Sequence, residues 1–401
     1  MGKMYITLII LAVNIGVFAG LVINCCRLGI CYYKKNDIIR VLCTLRKNGL
    51  LMVIMIPVLV VFIWITQILA HTPKIKNEDG IEVEGSISEL IKVEVNNHKE
   101  WISIRGRDKE APVLLFLAGG PGGTQMASTR YNLQELEKYF VVVNWDQPGS
   151  GKSYRSMKKE DIRVQTYIDD GIGLTEYLKN RFNKEKIYLL GESWGSALGI
   201  FLTAEKPEYY AGVIGAGQMV DFAETEIMDY NKALEIAREN NDKNKVSKLI
   251  NQGSPLYYRG NVALKSANYL NYLSAYMSSN PEIENGGYNT FREMFSSEYG
   301  ILDSLDFLLG LMNTFNRVYP QLYDVDLREQ YRDLEVPVYF FTGRHDINAP
   351  TELVESYYEV LAAPDKEIIW FEHSGHTPVE NETDLFVKET VRVFLGGSTA
   401  D

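Results

Sequence analysis

Residues 187–199 read IYLLGESWGSALG. Ile187 to Leu190 form an apolar run of buried-strand type. From Trp194 onward, Ala197, Leu198, Phe201 and Leu202 recur at helical spacing. Between the two stands Gly191-Glu192-Ser193-Trp194-Gly195. A strand that turns this abruptly into a helix leaves no room for side chains where the backbone doubles back, which is why the turn carries glycines. The serine at its tip then occupies a sparsely populated backbone conformation, with its hydroxyl outward at the helix N-terminus, an end that stabilises developing negative charge. A solvated serine in a glycine-rich turn is the other reading. The flanking strand and helix favour the exposed nucleophile.

A serine nucleophile needs a base, an acid that orients the base, and donors for an oxyanion. Residues 113–123 read VLLFLAGGPGG, an apolar strand that runs into a loop where backbone N–H groups can approach a substrate oxygen. A second strand, 336–341, ends in Gly343-Arg344-His345-Asp346, and a third, 367–371, ends in His373-Ser374-Gly375-His376. Ser193, Asp346 and His376 thus each follow a strand's C-terminal end, the edge where open α/β sheets place their sites. Two of the chain's five histidines fall in that last segment. His373 and His345 compete with His376 for the role of base. His376 is favoured because it follows Gly375 in a turn, which suits a mobile imidazole.

Five stretches together resemble the proline iminopeptidase-like branch of the α/β-hydrolases: GGPGG at 119–123, WDQPGSGKS at 145–153, GESWGSALG at 191–199, TGRHD at 342–346 and SGHTP at 374–378. The resemblance implies a mainly parallel sheet with flanking helices, a helical cap over the site, and a Ser-His-Asp hydrolase in the chain order Ser, Asp, His. It makes Ser193 the nucleophile, Asp346 the acid and His376 the base, with the backbone N–H groups of Gly120 and Trp194 as oxyanion donors. No cofactor and no metal is implied. Two positions depart from the family: Ala118 stands where a His usually precedes the glycine run, and Pro148 where an Arg usually follows Asp-Gln. Both bear on aminopeptidase specificity. An aminopeptidase needs a carboxylate for the substrate's free ammonium, and the resemblance suggests that the cap supplies it. Glu224 and Glu226, at the start of the cap, are the candidates; solvated helix-face acids are the alternative.

The N-terminal region has a different character. Residues 5–26 and 49–70 are each 22 long and contain no charge. About 20 apolar residues span a bilayer as a helix, so residues 1–70 are expected to form a membrane anchor of two transmembrane helices. A cleaved signal peptide competes for the first segment. The connector, 27–48, holds six basic residues against one acid, Asp37, and is expected to be cytoplasmic. The domain beyond the second span is then extracellular. Residues 1–70 carry six surplus positive charges in a chain of net charge −11, which leaves −17 on residues 71–401. So acidic a domain is a poor partner for nucleic acid. All four cysteines lie at 25, 26, 31 and 43, so the domain has neither a disulfide frame nor a cysteine metal site.

The expected organisation is a linker at 71–89, an α/β-hydrolase core at 90–220 and 331–397, and a helical cap at 221–330, where the strand–helix rhythm pauses. The expected function is a membrane-anchored serine hydrolase working through an acyl-enzyme, a proline iminopeptidase-like aminopeptidase on small peptides. An esterase or amidase on a small non-peptide substrate remains open, as does a non-catalytic binding protein. The oligomeric state is not legible.

Overall fold

The computed structural model describes residues 2–34, 38–284 and 288–396. Lys35 and Asp37 of the connector, and residue 397 at the expected end of the core, lie outside the described residues. The chain divides into two units, one of Met1–Ala70 with Met294–Ser304 and the other of His71–Glu293 with Leu305–Asp401.

In the larger unit, eight strands form one sheet: β1 (Ile87–Val95), β2 (His98–Gly106), β3 (Val113–Leu117), β4 (Val141–Asp146), β5 (Ile187–Glu192), β6 (Tyr210–Ala216), β7 (Val338–Gly343) and β8 (Lys366–Phe371). Their order is β1-β2-β4-β3-β5-β6-β7-β8. β2 is antiparallel to both its neighbours, and β4 through β8 run parallel. The parallel strands read as unbroken apolar runs because both their faces are covered. Val113, Leu115 and Leu117 of β3 and Ile187 and Leu189 of β5 point to one core layer, while Leu114, Phe116 and Leu190 point to the other. The helices Val164–Phe182 and Trp194–Glu205 cover the first layer, and the helix Thr383–Leu395 covers the second. The sheet therefore puts the C-terminal ends of β3, β5, β7 and β8 side by side, which is what gathers the site.

The cap leaves the core after β6. Asp221 accepts a hydrogen bond from the Glu224 N–H (2.8 Å) and so caps the helix Phe222–Glu239. With the helices Lys243–Gln252 and Val262–Ser278 it closes around Tyr230, Ile236, Leu249, Tyr269 and Leu273. Entry and exit are pinned together. Asp221 pairs in an antiparallel bridge with Asp326, and the Arg328 guanidinium binds Asp221 (3.0 Å), Glu224 (2.7 Å) and Asp326 (2.9 Å).

Two expectations need correction. The linker was expected to reach residue 89, but β1 begins at Ile87, and the stretch before it is tied to the larger unit. Arg105 donates to Thr72 (2.9 Å) and to the Pro73 carbonyl while pairing with Glu137 (2.6 Å), and Ile75 is buried. A fork of five donors ties several partners at once. The expected cap also loses Met294–Ser304, which belong with the N-terminal unit. There the Ile301 N–H donates to the Thr66 hydroxyl (3.2 Å), and Lys3 donates to the Ser296 carbonyl (2.8 Å).

The N-terminal helices are Gly2–Tyr33 and Ile39–Ile68. Among the described residues, Tyr5–Tyr33 and Ile39–Ile68 are long and apolar enough to cross a membrane. They overrun the uncharged segments because Arg and Lys, like Leu, are good helix formers that propagate a nucleated helix.

Arg328→Ala should lower the stability of the larger unit, because three carboxylates would then meet without their cation. Since the guanidinium is partly exposed, a loss of about 1–3 kcal/mol is expected. Arg328→Lys should recover only part of it, for want of the planar fork. Urea denaturation of the three proteins side by side checks both statements.

Candidate active site

β5 ends at Glu192, and the helix Trp194–Glu205 begins two residues later, so Ser193 alone makes the turn. Its φ of 54° and ψ of −121° lie where residues other than glycine seldom go. Such a conformation costs on the order of 1–3 kcal/mol and persists only where its surroundings over-determine it. Here they do. A Cβ on Gly191 would sit 2.1 Å from the Gly195 carbonyl oxygen, and one on Gly195 would sit 2.0 Å from that of Leu117. The glycines let the turn close against itself and against the end of β3.

β7 delivers Asp346 and β8 delivers His376. His376 Nδ1 lies 3.1 Å from Asp346 Oδ1 and 3.0 Å from Oδ2. Asp346 is buried, and its Oδ1 also accepts from the N–H groups of Asn348 (2.8 Å) and Ala349 (2.9 Å), so its position is set by its own turn. Burial by itself lowers the basicity of His376, but the charge of Asp346 and its hydrogen bond outweigh this, and the imidazole lies above its ordinary pKa. Ser193 and His376 line one pocket of about 190 Å³, together with Gly119, Gly120, Gln125 and Tyr288. The competing histidines are elsewhere. His373 is exposed, with Nδ1 3.1 Å from the Glu282 carbonyl, and His345 Nε2 lies 3.6 Å from Glu282 Oε2.

The glycine loop after β3 is braced by a second motif. Gln147 donates to the Ala118 carbonyl (3.1 Å) and accepts from the Trp194 indole N–H (3.0 Å), which ties the end of β3 to the start of the elbow helix. Asp146 accepts from the Lys152 N–H (2.7 Å) and from the Thr124 hydroxyl. Gln125 accepts from the Gly119 N–H (2.9 Å). At the departure noted at Pro148, its carbonyl accepts from the Tyr167 hydroxyl (2.9 Å), so the loop is anchored through backbone where the family usually has an Arg.

Residues 112–252 match the family model described as alpha/beta hydrolase fold. The chain is 30% identical over 331 residues to "Probable aminopeptidase YbaC" of Bacillus subtilis, covering 77% of this chain and 96% of that protein. It is 23% identical over 308 residues to a proline iminopeptidase of Saccharolobus solfataricus, covering 75% and 89%. Among solved structures, the proline iminopeptidase of Mycobacterium smegmatis superposes with a TM-score of 0.56 at 17% identity, over 77% of this chain and 98% of that one, a likeness of fold. The chain belongs to the proline iminopeptidase-like α/β-hydrolases. It is therefore a hydrolase, and the mixed sheet with flanking helices is that of its family.

This member of the family carries acids that the sequence did not single out. Glu192, the residue before Ser193, is buried in the same pocket. Burial, reinforced by the charge of Glu380, pushes its carboxyl up to about 8, against the pull of a hydrogen bond with Gln125 and of His376. Glu380 accepts from the Ser128 hydroxyl (2.6 Å), and Glu293 accepts from the N–H groups of Ala127 (2.7 Å) and Ser128 (2.6 Å). The one signal was the Glu inside G-x-S-x-G. The two acids singled out in the cap have other partners. Glu224 belongs to the half-exposed cluster on Arg328, and Glu226 is buried, accepting from Ser266 (3.1 Å), Tyr319 (3.1 Å) and Tyr269. Neither lines the pocket that holds Ser193.

His98, Glu100 and Asp170 are the cluster whose donor set suits a metal ion. His98 Nε2 lies 2.9 Å from Glu100 Oε1 and 3.0 Å from Asp170 Oδ2. The other two carboxylate oxygens take the Trp145 indole (2.6 Å) and the Asn96 amide (2.8 Å). The hydrogen bond to Glu100 and the charges of both acids hold the imidazole at about 9, against burial. All four carboxylate oxygens of the cluster thus have hydrogen-bond partners within the chain.

Glu192 has a consequence for stability. Its carboxyl titrates near the ordinary 4.5 in the unfolded chain and near 8 in the folded one. Between those values the folded state holds the extra proton, so stability falls as pH rises through the window. Glu192→Gln removes the titration. Its melting temperature should rise relative to the unmutated protein as pH goes from 5 to 9, as read by thermal scans at matched ionic strength.

Proposed function

We propose that this protein is a membrane-anchored aminopeptidase of the proline iminopeptidase type, acting on small peptides through a Ser-His-Asp triad. The observation that carries the reading is the constellation at the sheet edge: a strained, half-buried Ser193, and His376 held by Asp346 in the same pocket. In this mechanism His376 takes the Ser193 proton as Oγ attacks the scissile carbonyl carbon. The carbonyl oxygen becomes an oxyanion, received by the N–H groups of Gly120 and Trp194. The first N–H groups of a helix have no partner within it, and Trp194 opens one. The C–N bond then breaks, with the His376 proton leaving on the amine. A water repeats the cycle on the acyl-enzyme and frees the N-terminal residue. Asp346 keeps the imidazole in the tautomer that presents Nε2 to Ser193 and stabilises the imidazolium.

Ser193→Ala should abolish labelling by an organophosphonate probe and lower kcat on the order of a millionfold, while the protein stays folded. His376→Ala should cost nearly as much, and His373→Ala little. Turnover that survives Ser193→Ala, or the reverse order of the two histidines, would remove the assignment.

The membrane part rests on the two long apolar helices and the basic residues between them. In our reading the connector is cytoplasmic and the hydrolase lies outside, with the domain borders near 70, 221 and 330. In a chain whose four cysteines are replaced, Glu208→Cys is exposed on the larger unit. A membrane-impermeant maleimide should label it on intact cells. Labelling only after lysis would reverse the topology.

A further inference from the structure

The helix Ile301–Leu309 is turned inside out for a protein in water. An amphipathic surface helix ordinarily buries its apolar stripe and shows its polar face to solvent. Here the polar residues Asp303, Ser304 and Asp306 are the buried ones. Asp303 accepts from the Gly300 N–H (2.7 Å), Ser304 donates to the Gly300 carbonyl (3.0 Å), and Asp306 pairs with Arg155 (2.7 Å). Leu302, Leu305 and Leu308 stand outward instead, 42%, 50% and 44% exposed. Residues three apart are neighbours on a helix surface, so the leucines form one row. A single exposed leucine is ordinary on a soluble protein, whereas a contiguous apolar row marks a surface that meets another apolar phase.

The start of the helix identifies that phase. The N–H groups of a first helical turn have no partner within the helix. The Ile301 N–H finds one in the Thr66 hydroxyl (3.2 Å), two residues from the end of the apolar helix Ile39–Ile68. Just before it, the Ser296 and Tyr299 carbonyls accept from Lys3, at the beginning of the apolar helix Gly2–Tyr33. Residues 296–301 therefore bind the N-terminal end of the first apolar helix and the C-terminal end of the second. In a pair of helices that crosses a bilayer there and back, those two ends emerge on the same side. Leu302 follows at once, so the row begins where the chain leaves the hydrocarbon. A second protein could cover three leucines, but lipid is the apolar phase that must be present beside the ends of membrane spans.

We propose that the leucine face of the helix Ile301–Leu309 docks on the surface of the lipid bilayer that the two apolar helices cross. The proposal rests on the membrane-anchored reading and holds whichever side of the membrane the hydrolase occupies. Phe307, on the buried side of the same helix, lines the pocket that holds Ser193, as does Leu311 just beyond its end. A single helix, roughly 10 Å across, then separates the lipid from the pocket wall.

The test places one cysteine at a time in the full chain whose four native cysteines are replaced, labels it with a small fluorophore and reconstitutes the protein in phosphatidylcholine vesicles. The same lipid brominated near the carbonyl end of its chains serves as quencher. An interfacial helix sinks its apolar face about 5–10 Å into the boundary of headgroups and acyl chains, so Leu305→Cys and Leu308→Cys should each lose on the order of half their emission. Ile65→Cys, in the second apolar helix beside Thr66, should be quenched as strongly, and Glu208→Cys, exposed on the larger unit, should not. If Ile65→Cys is quenched and either leucine position is not, the docking is overturned while the membrane reading stands. Ready oxidation of an unquenched Leu305→Cys to a disulfide-linked dimer would then assign the row to a second copy of the chain. Quenching at Glu208→Cys as well would equally overturn the proposal, because the leucine row would be no closer to lipid than the rest of the surface. If Ile65→Cys is not quenched, the membrane reading falls and the docking with it.

Discussion

The turn at Ser193 is a conformation that the chain would not hold by itself, and most of the site is arranged around holding it. Backbone meets backbone there without side chains between: Gly191 against Gly195, and Gly195 against the carbonyl of Leu117. These contacts need β3 and β5 to be neighbours in register, with Leu117 beside Gly191. That register in turn depends on the two apolar layers that clamp the sheet from both faces. Strain on the order of 1–3 kcal/mol at one residue is thus offset by the burial of many, and the serine hydroxyl is left at a helix N-terminus.

From this turn outward, polar groups do the fine positioning. Gln147 bridges the end of β3 and the indole of Trp194, and Asp146 and Gln125 bind the glycine loop. The WDQPGSG motif therefore serves the site without touching the pocket, by keeping the two backbone segments of the proposed oxyanion hole in fixed relation. Each buried polar atom in that web has a partner, as buried polar groups generally do. Beside that web, Glu192 Oε2 is buried with no hydrogen-bond partner among the described residues.

The acidity of residues 71–401 looks, in composition, like a solvated surface. Part of it is interior. Glu100, Glu192, Glu226, Asp229, Glu293 and Glu380 are all buried, and burial raises the pKa of Glu100, Glu192, Glu226, Asp229 and Glu380. They separate by surroundings. Glu100 pairs with His98, Glu226 is solvated by hydroxyls, and Glu192 has a hydrogen bond with Gln125 while its Oε2 has no partner among the described residues. Composition cannot make that distinction, because it depends on which donors the fold brings within 3 Å.

The strands, the elbow, the order Ser193, Asp346, His376 and the two apolar helices were legible in the sequence, because each is a local pattern. Burial on two faces writes continuous apolar runs, a tight turn demands glycine, and a bilayer-length helix excludes charge. The pairing of His376 with Asp346 was also within reach, since both follow neighbouring parallel strands. What the sequence could not decide was direction: which way a side chain points once helices and loops have closed over it. Glu224 and Glu226 stand two residues apart, yet one joins a half-exposed ion cluster and the other the interior of the cap. Glu192 was not singled out in the sequence, yet it is among the residues that line the pocket holding Ser193. Which residues make the fold was set by local chemistry along the chain, whereas which acids meet the pocket was decided by contacts between residues far apart in sequence, and those exist only once the tertiary structure has formed.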